Sequence, residues 1–210
     1  MLDGYYKATT DRFWKILANA LVRAGLSPNQ VTLIGLALVV ANCALYLVHE
    51  STLWFGVLLA VSFAFDGLDG AVARLTNRTS KFGGYLDATI DRYQEAVVFL
   101  VLAVAVEDLW LPCFLVVTGS LFTSYNKARA AVEIAIDNDT WPDLLERLER
   151  LVILCALLIL DPILNDIFAL QGQVLRYGLW ALATLTHITA IQRFFRARRL
   201  IEAARDRDDA

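Results

Sequence analysis

Six apolar stretches, at roughly 31–49, 52–75, 85–107, 109–134, 149–168 and 173–195, alternate along the chain with short polar connections. Each is near the roughly 20 residues that an α-helix needs to cross a bilayer. The third differs from the rest: its first turns carry Asp87, Asp91 and Arg92, and only then does it become apolar. Ahead of the six, residues from about 11 to 24 follow a helical period. Phe13, Trp14, Leu17, Leu21 and Ala24 fall on one side, and Arg12, Lys15, Asn19 and Arg23 on the other. That division predicts an amphipathic helix lying at a membrane surface. Gly25 ends it, and Ser27-Pro28-Asn29 begins the next helix. The pattern therefore predicts an all-α polytopic membrane protein. A single domain over 1–210 is expected, with a juxtamembrane segment at 1–26, a bundle of six transmembrane helices at 27–200 and a polar tail at 201–210.

Composition agrees: 58% of the 210 residues are hydrophobic, too many for an ordinary soluble domain. Cys43, Cys113 and Cys155 lie inside apolar runs without paired spacing and read as small core residues. The first fifteen residues hold no continuous apolar stretch, so no signal peptide is expected. The net charge of −3 conceals an asymmetry. Lys7, Arg12, Lys15, Arg23, Arg74, Arg78, Lys81, Arg92, Lys127, Arg129, Arg147, Arg150 and the run from Arg193 to Arg207 fall on one side of the predicted bundle. The other side holds Glu50, Glu107, Asp108, Asp161 and Asp166, with Arg176 its one cation. The positive-inside rule then places both termini in the cytoplasm of a cell inner or plasma membrane, with Trp54 and Trp110 near the outer boundary.

The polar residues that interrupt the second and third stretches carry the chemistry. In FDGLDGAVARLTNRTSKFGGYLDATIDRY, Asp66, Asp69 and Ala73 share one helical face, with Gly70 and Arg74 beside it, while Asp87 and Asp91 stand one turn apart on a second helix. Ionisable groups at membrane depth mark functional sites by default. Two carboxylates from each of two adjacent helices make an oxygen-only site suited to Mg²⁺ or Mn²⁺, cations that also engage phosphates. Two such ions can bridge a diphosphate and neutralise its leaving group. Arg74 suits a phosphate oxygen, and one carboxylate could accept a proton from an attacking hydroxyl. Two other readings compete: a buried salt-bridge network with Arg74, Arg92 and Lys127, and a cation-coupled transporter. The second fits less well, because the cluster lies at helix ends and transporter sites lie near mid-bilayer.

At these residues the chain resembles the CDP-alcohol phosphatidyltransferase family, whose signature D-x2-D-G-x2-A-R-x8-G-x3-D-x3-D is matched by Asp66, Asp69, Gly70, Ala73, Arg74, Gly83, Asp87 and Asp91. The stretch SPNQVTLIGL, from Ser27 to Leu36, also resembles the segment that precedes the family's motif. The resemblance implies a surface helix and six transmembrane helices, and a homodimer formed through the third and fourth. It further implies two Mg²⁺ or Mn²⁺ ions at Asp66, Asp69, Asp87 and Asp91, with Asp91 the general base. The CDP-linked lipid, CDP-diacylglycerol or CDP-archaeol, would be held by Asn29, Thr32, Asp69, Gly70, Ala73, Arg74, Ser80 and Gly83. An acceptor hydroxyl would attack the phosphorus that bears the lipid, and CMP would leave.

A second cationic set bears on the acceptor. Lys127 and Arg129 lie in SYNKARA, Arg150 in LLERLERLVIL and Arg193 in ITAIQRFF, at predicted helix ends bordering one cytoplasmic cavity. Cations gathered at one pocket favour a phosphorylated polyol. For Arg196, Arg198 and Arg199, anchoring at the membrane surface is the simpler reading. The pattern is similar to phosphatidylinositol-phosphate synthases and their archaeal counterparts, the archaetidylinositol-phosphate synthases, which implies inositol 1-phosphate bound through its phosphate by Lys127, Arg150 and Arg193, and Arg129 is expected to join them. Ala131 and Leu148 depart from that subfamily's usual Glu and Pro. Glycerol 3-phosphate would exploit the same cations, and serine ranks below both. Membrane lipids are expected around the bundle, and no nucleic acid is expected as a partner.

Overall fold

The computed structural model describes residues 14–136, 144–169 and 173–208. Lys7, Arg12, Phe13, Gln171 and the last two residues of the predicted tail lie outside them. All regular structure among the described residues is helical: α1 (14–23), α2 (Pro28–His49), α3 (Thr52–Asp66), α4 (Asp69–Leu75), α5 (Lys81–Ala105), a 3₁₀ turn (Glu107–Leu109), α6 (Trp110–Glu133), α7 (Arg147–Phe168) and α8 (Gln173–Asp208). Among the described residues three stretches, Pro28–His49, Thr52–Leu75 and Arg147–Phe168, are long and apolar enough to cross a membrane. Large apolar side chains such as Leu33, Val48, Val61, Val104, Val152 and Ile167 stand exposed, as a lipid-facing surface requires. Helix α8, at about 1.5 Å per residue, continues through most of the expected polar tail. The contacts divide the chain into two compact units, one of residues 1–49 and 57–98, the other of residues 50–56 and 99–210.

The first unit is built on local signals read from the sequence. Gly25, at φ +78°, closes α1: its N–H donates to Val22 and that of Leu26 to Leu21, the paired bonds of a Schellman motif. Ser27 and Gln30 then form a reciprocal capping box around Pro28, the Ser27 N–H donating to Gln30 Oε1 at 2.9 Å and the Gln30 N–H to Ser27 Oγ at 3.4 Å. The apolar side of α1 packs on protein: Trp14, Leu17, Leu21 and Val22 lie against Ala18, Val31, Leu68 and Val72. Lys15, Asn19 and Arg23 are exposed as expected, but so is Ala24, and the fully buried residue is Ala18. Between α2 and α3, the buried Asn42 amide donates to Ser62 Oγ and to the Leu58 carbonyl.

In the second unit α6 and α8 pack closely. A Cβ on Gly119 would lie 2.6 Å from Thr186 Oγ1 and 2.9 Å from its Cβ, so the contact depends on the absence of a side chain. Along the same seam His187 Nε2 meets the Leu115 carbonyl at 3.0 Å, and the Asn126 amide donates to Ala190 at 2.9 Å. Asp161 on α7 accepts from the Leu175 N–H at the start of α8, and Arg176 pairs with Asp108. Cys43, Cys113 and Cys155 are free and buried, as their setting predicts. Gly119→Ala should destabilise the protein by about 1–3 kcal/mol through overpacking. Its melting temperature in detergent should fall, and adding Thr186→Ala should restore part of the loss. An unchanged melting temperature would show that the seam can open without cost.

Candidate active site

The second apolar stretch does not continue as one helix. Gly67 and Leu68 form a tight turn, so α3 ends at Asp66 and α4 begins at Asp69. The two carboxylates expected to share a helical face therefore sit at opposite helix ends. Asp66 joins Asp87 and Asp91 of α5, one carboxylate oxygen from each lying within 4.8 Å of the others. Asp69 turns aside: its Oδ2 accepts from Thr32 Oγ1 at 2.6 Å and its Oδ1 from the Gly70 N–H at the start of α4. Three of the four predicted ligands thus converge, and the fourth is tied to α2. Three carboxylate oxygens from two helices are the donor set that a hard divalent cation takes, with water or a phosphate completing its coordination.

Neighbours hold these groups in place. Asp66 is buried, and its Oδ1 accepts from the side-chain amide of the fully buried Gln94 at 3.0 Å. Gly35 of α2 lies against it, so close that a Cβ there would stand 2.5 Å from Asp66 Oδ1. Arg92 reaches Glu95 at 2.9 Å and stands 3.8 Å from Asp91. Gln94, Glu95 and Gly35 escape the reading of the sequence. Buried amides and glycines in an apolar helix look like packing, and only the i, i+3 and i, i+4 spacing from Asp91 marks Gln94 and Glu95 as its neighbours.

Beside the cluster is a cavity of about 220 Å³ lined by Asn29, Thr32, Asp69, Gly70, Ala73, Arg74, Ser80 and Gly83, together with Asp87. All eight residues expected to hold a CDP-linked lipid therefore face one space, and Asp87 belongs to both the cavity and the carboxylate group. Pro28, Arg78, Thr79 and Gly84 line it too, which the sequence reading missed. Ser80 Oγ accepts from the Gly83 N–H at 2.9 Å and so begins α5. A Cβ at position 83 would press on Ser80 Oγ at 3.2 Å and on Asn29 Oδ1 at 3.5 Å. At position 70 it would meet the Arg74 guanidinium at 3.4 Å. Small residues thus keep this wall open.

The four cations expected at the acceptor lie in the second unit and do not form one set. Lys127 and Arg193 line a cavity of about 370 Å³ with Ser124. Arg193 is buried and donates to the Thr123 carbonyl at 2.6 Å. Arg129, two residues from Lys127, lines a different cavity and pairs with Glu133 at 2.6 Å. Arg150 is buried, lines neither, and donates to the Leu145 carbonyl at 3.3 Å. The exposed Arg198 donates from Nε to Glu202 at 2.7 Å.

A model of the CDP-alcohol phosphatidyltransferase family matches residues 25–191. The chain is 34% identical over 197 residues to an archaetidylinositol phosphate synthase of Pyrococcus horikoshii, covering 93% of this chain and 94% of that protein. It is 37% identical over 189 residues to a phosphatidylinositol phosphate synthase of Mycobacteroides abscessus, covering 87% and 82%. Among solved structures, the phosphatidylinositol phosphate synthase of Mycobacterium tuberculosis with CDP-DAG bound superposes with a TM-score of 0.75 at 30% identity, over 89% of this chain and 94% of that one. The same protein in complex with manganese and citrate gives a TM-score of 0.74 at 30% identity, over 88% of each.

Mn²⁺ titrated into the purified metal-free protein should bind, and Asp66→Asn, Asp87→Asn and Asp91→Asn should each weaken it by about tenfold or more, read by calorimetry. Unchanged affinity in any one of them would remove that residue from the ligand set.

Proposed function

We propose that this chain, which belongs to the CDP-alcohol phosphatidyltransferase family, transfers the phosphatidyl-type group of a CDP-linked lipid to a hydroxyl of inositol 1-phosphate and releases CMP. It is an integral-membrane, divalent-metal-dependent enzyme rather than the cation-coupled transporter that its aspartates alone left open. The observation that carries the reading is the single cavity in which all eight expected nucleotide-side residues meet Asp87 of the carboxylate group.

Asp66, Asp87 and Asp91 would hold Mg²⁺ or Mn²⁺, and Asp69, which lines the adjoining cavity with Asp87, would join them in a two-ion site once released from Thr32; when bound the ions neutralise charge on the diphosphate and its leaving group. Arg74 holds the diphosphate, and Gly70, Ala73 and Gly83 let it approach the helix backbones. Asn29, Thr32 and Ser80 supply hydrogen-bonding groups to the nucleotide. Asp91 takes the proton of the acceptor hydroxyl, whose oxygen bonds to the phosphorus bearing the lipid. The bond from that phosphorus to the CMP oxygen breaks, and the electron pair leaves with CMP. Lys127 and Arg193, which share a cavity, bind the acceptor's phosphate, with Arg150 in support. Arg129, paired with Glu133, is the least suited of the four to that role.

The wider setting belongs to the same proposal. Six transmembrane helices are formed by α2, α3 with α4, α5, α6, α7 and α8, and α1 rests at the membrane surface with Lys15, Asn19 and Arg23 outward. Lys and Arg crowd the connections that carry the motif, which supports a cytoplasmic active site and cytoplasmic termini. Residues 1–210 act as one catalytic domain, since the family match from 25 to 191 runs through both compact units. A homodimer through α5 and α6 completes the picture by family resemblance.

Purified protein given a CDP-lipid and Mn²⁺ should release CMP with inositol 1-phosphate faster than with glycerol 3-phosphate, serine or free inositol. Preference for glycerol 3-phosphate would reassign the acceptor, and no release with any of them would overturn the reaction. Asp91→Asn should lower kcat by a factor on the order of 10³ or more, consistent with loss of a general base and metal ligand. Substantial residual turnover would remove Asp91 from the base role. Lys127→Ala and Arg193→Ala should raise the acceptor KM about tenfold or more while changing the CDP-lipid KM little. An unchanged acceptor KM would displace the phosphate site from these residues.

A further inference from the structure

We infer that Gln94 is a positioning residue for the metal centre: its side-chain amide fixes one oxygen of Asp66, so that the carboxylate is presented to the ion in one orientation. The inference rests on the reading of Asp66, Asp87 and Asp91 as metal ligands and goes beyond it to a residue outside the motif.

The geometry is specific. Asp66 ends α3 and is buried against α2 and α5. On the α2 side, Gly35 presents bare backbone: an added Cβ would lie 2.5 Å from Asp66 Oδ1, 3.1 Å from its Cβ and 3.2 Å from its Cα. On the α5 side, Gln94 is fully buried and donates to the same Oδ1 at 3.0 Å. Asp66 therefore lies in a slot whose floor is a missing side chain and whose wall is a hydrogen-bond donor. A carboxylate at a helix end can rotate about its side-chain bonds. A hydrogen bond donated by an amide to one oxygen removes that freedom and fixes where the other oxygen points.

A neutral donor suits this position better than a cation would. Lys or Arg at position 94 would compete with the metal for the charge of Asp66, whereas an amide orients the carboxylate and brings no charge of its own. The nearby cation is directed elsewhere: Arg92 makes its short contact with Glu95 at 2.9 Å and stands 3.8 Å from Asp91. Gln94 lies one helical turn beyond Asp91 on α5, so one helix supplies two ligands and the orienting group of a third.

The test uses full-length protein in detergent and Mn²⁺ alone as the probe. Gln94→Met keeps the volume and removes the donor, and Gln94→Asn keeps the amide but shortens its reach, so either variant serves if the other folds poorly. Each should weaken Mn²⁺ binding about 10–100-fold, the usual cost of losing an outer-shell partner. The metal-free melting temperature should stay within a few degrees of the parent. The Mn²⁺ concentration for half-maximal activity should rise by the same factor, with the CDP-lipid KM at saturating Mn²⁺ unchanged. Asp66→Asn is the control. If it weakens Mn²⁺ binding while both Gln94 variants bind within twofold of the parent, the positioning role is overturned and the metal site stands. If Asp66→Asn itself binds Mn²⁺ as the parent does, the metal-site reading fails.

Discussion

The repulsion among Asp66, Asp87 and Asp91 is the constraint around which the first compact unit is arranged. Carboxylate oxygens no more than 4.8 Å apart, if ionised, repel by about 3.5 kcal/mol or more per pair at an effective dielectric constant of 20. Asp66 also stands at the C-terminal end of α3, where the helix dipole disfavours a negative charge. A chain selected for stability alone would place none of these groups so. A divalent cation outweighs both effects: the carboxylates still repel one another, but each is attracted more strongly to the ion, and the C-terminal end of the helix favours the cation's charge. The same negative potential explains why the adjoining cavity carries Arg74 and Arg78: a diphosphate entering beside three carboxylates needs compensating positive charge.

Close approach of helices is the second requirement, and absent side chains meet it. Gly35 lets α2 lie against Asp66, and Gly83 keeps the wall near Ser80 and Asn29 open. Gly119 serves α6 and α8 in the same way. In lipid there is no hydrophobic gain from bringing helices together, so contact depends on van der Waals fit and on polar bonds such as that from Asn42 to Ser62. Asn42 and Ser62 are buried among apolar neighbours on α2 and α3, and their mutual bond fixes one register of the pair.

Much of this was legible in the sequence because the signals were local. Gly25 and Ser27-Pro28-Asn29 mark the start of α2, and the motif spacing brings Asp66, Asp87 and Asp91 together and puts Asp69, Gly70, Ala73, Arg74 and Gly83 on one cavity wall. What escaped depends on geometry that no spacing carries. The break at Gly67 and Leu68 leaves Asp66 at the end of one helix and Asp69 at the start of the next, where the Gly70 N–H and the Thr32 hydroxyl draw it aside. A continuous helical count across those residues puts both on one face. Gln94 belongs to the site through a long-range bond to Asp66, 28 positions away. The separation of Lys127 from Arg129 could have been anticipated, because residues two apart on a helix do not face the same side.

The division of these residues along the chain bears on how such an enzyme chooses its acceptor. Every group proposed for the metal and the nucleotide falls between Asn29 and Asp91, in the first unit, and every cation proposed for the acceptor falls between Lys127 and Arg193, in the second. Breaking the diphosphate needs only the first set, since the leaving group is CMP whatever alcohol attacks. Recognition of the alcohol would then fall to the second. On the proposed roles, substitutions such as Ala131 and Leu148 would change which acceptor is preferred without touching a carboxylate, while a change at Asp66, Gly35 or Asp87 would act on the metal and affect every acceptor alike. On this proposal the reaction is written in the motif helices, and the identity of the product in the helices that follow.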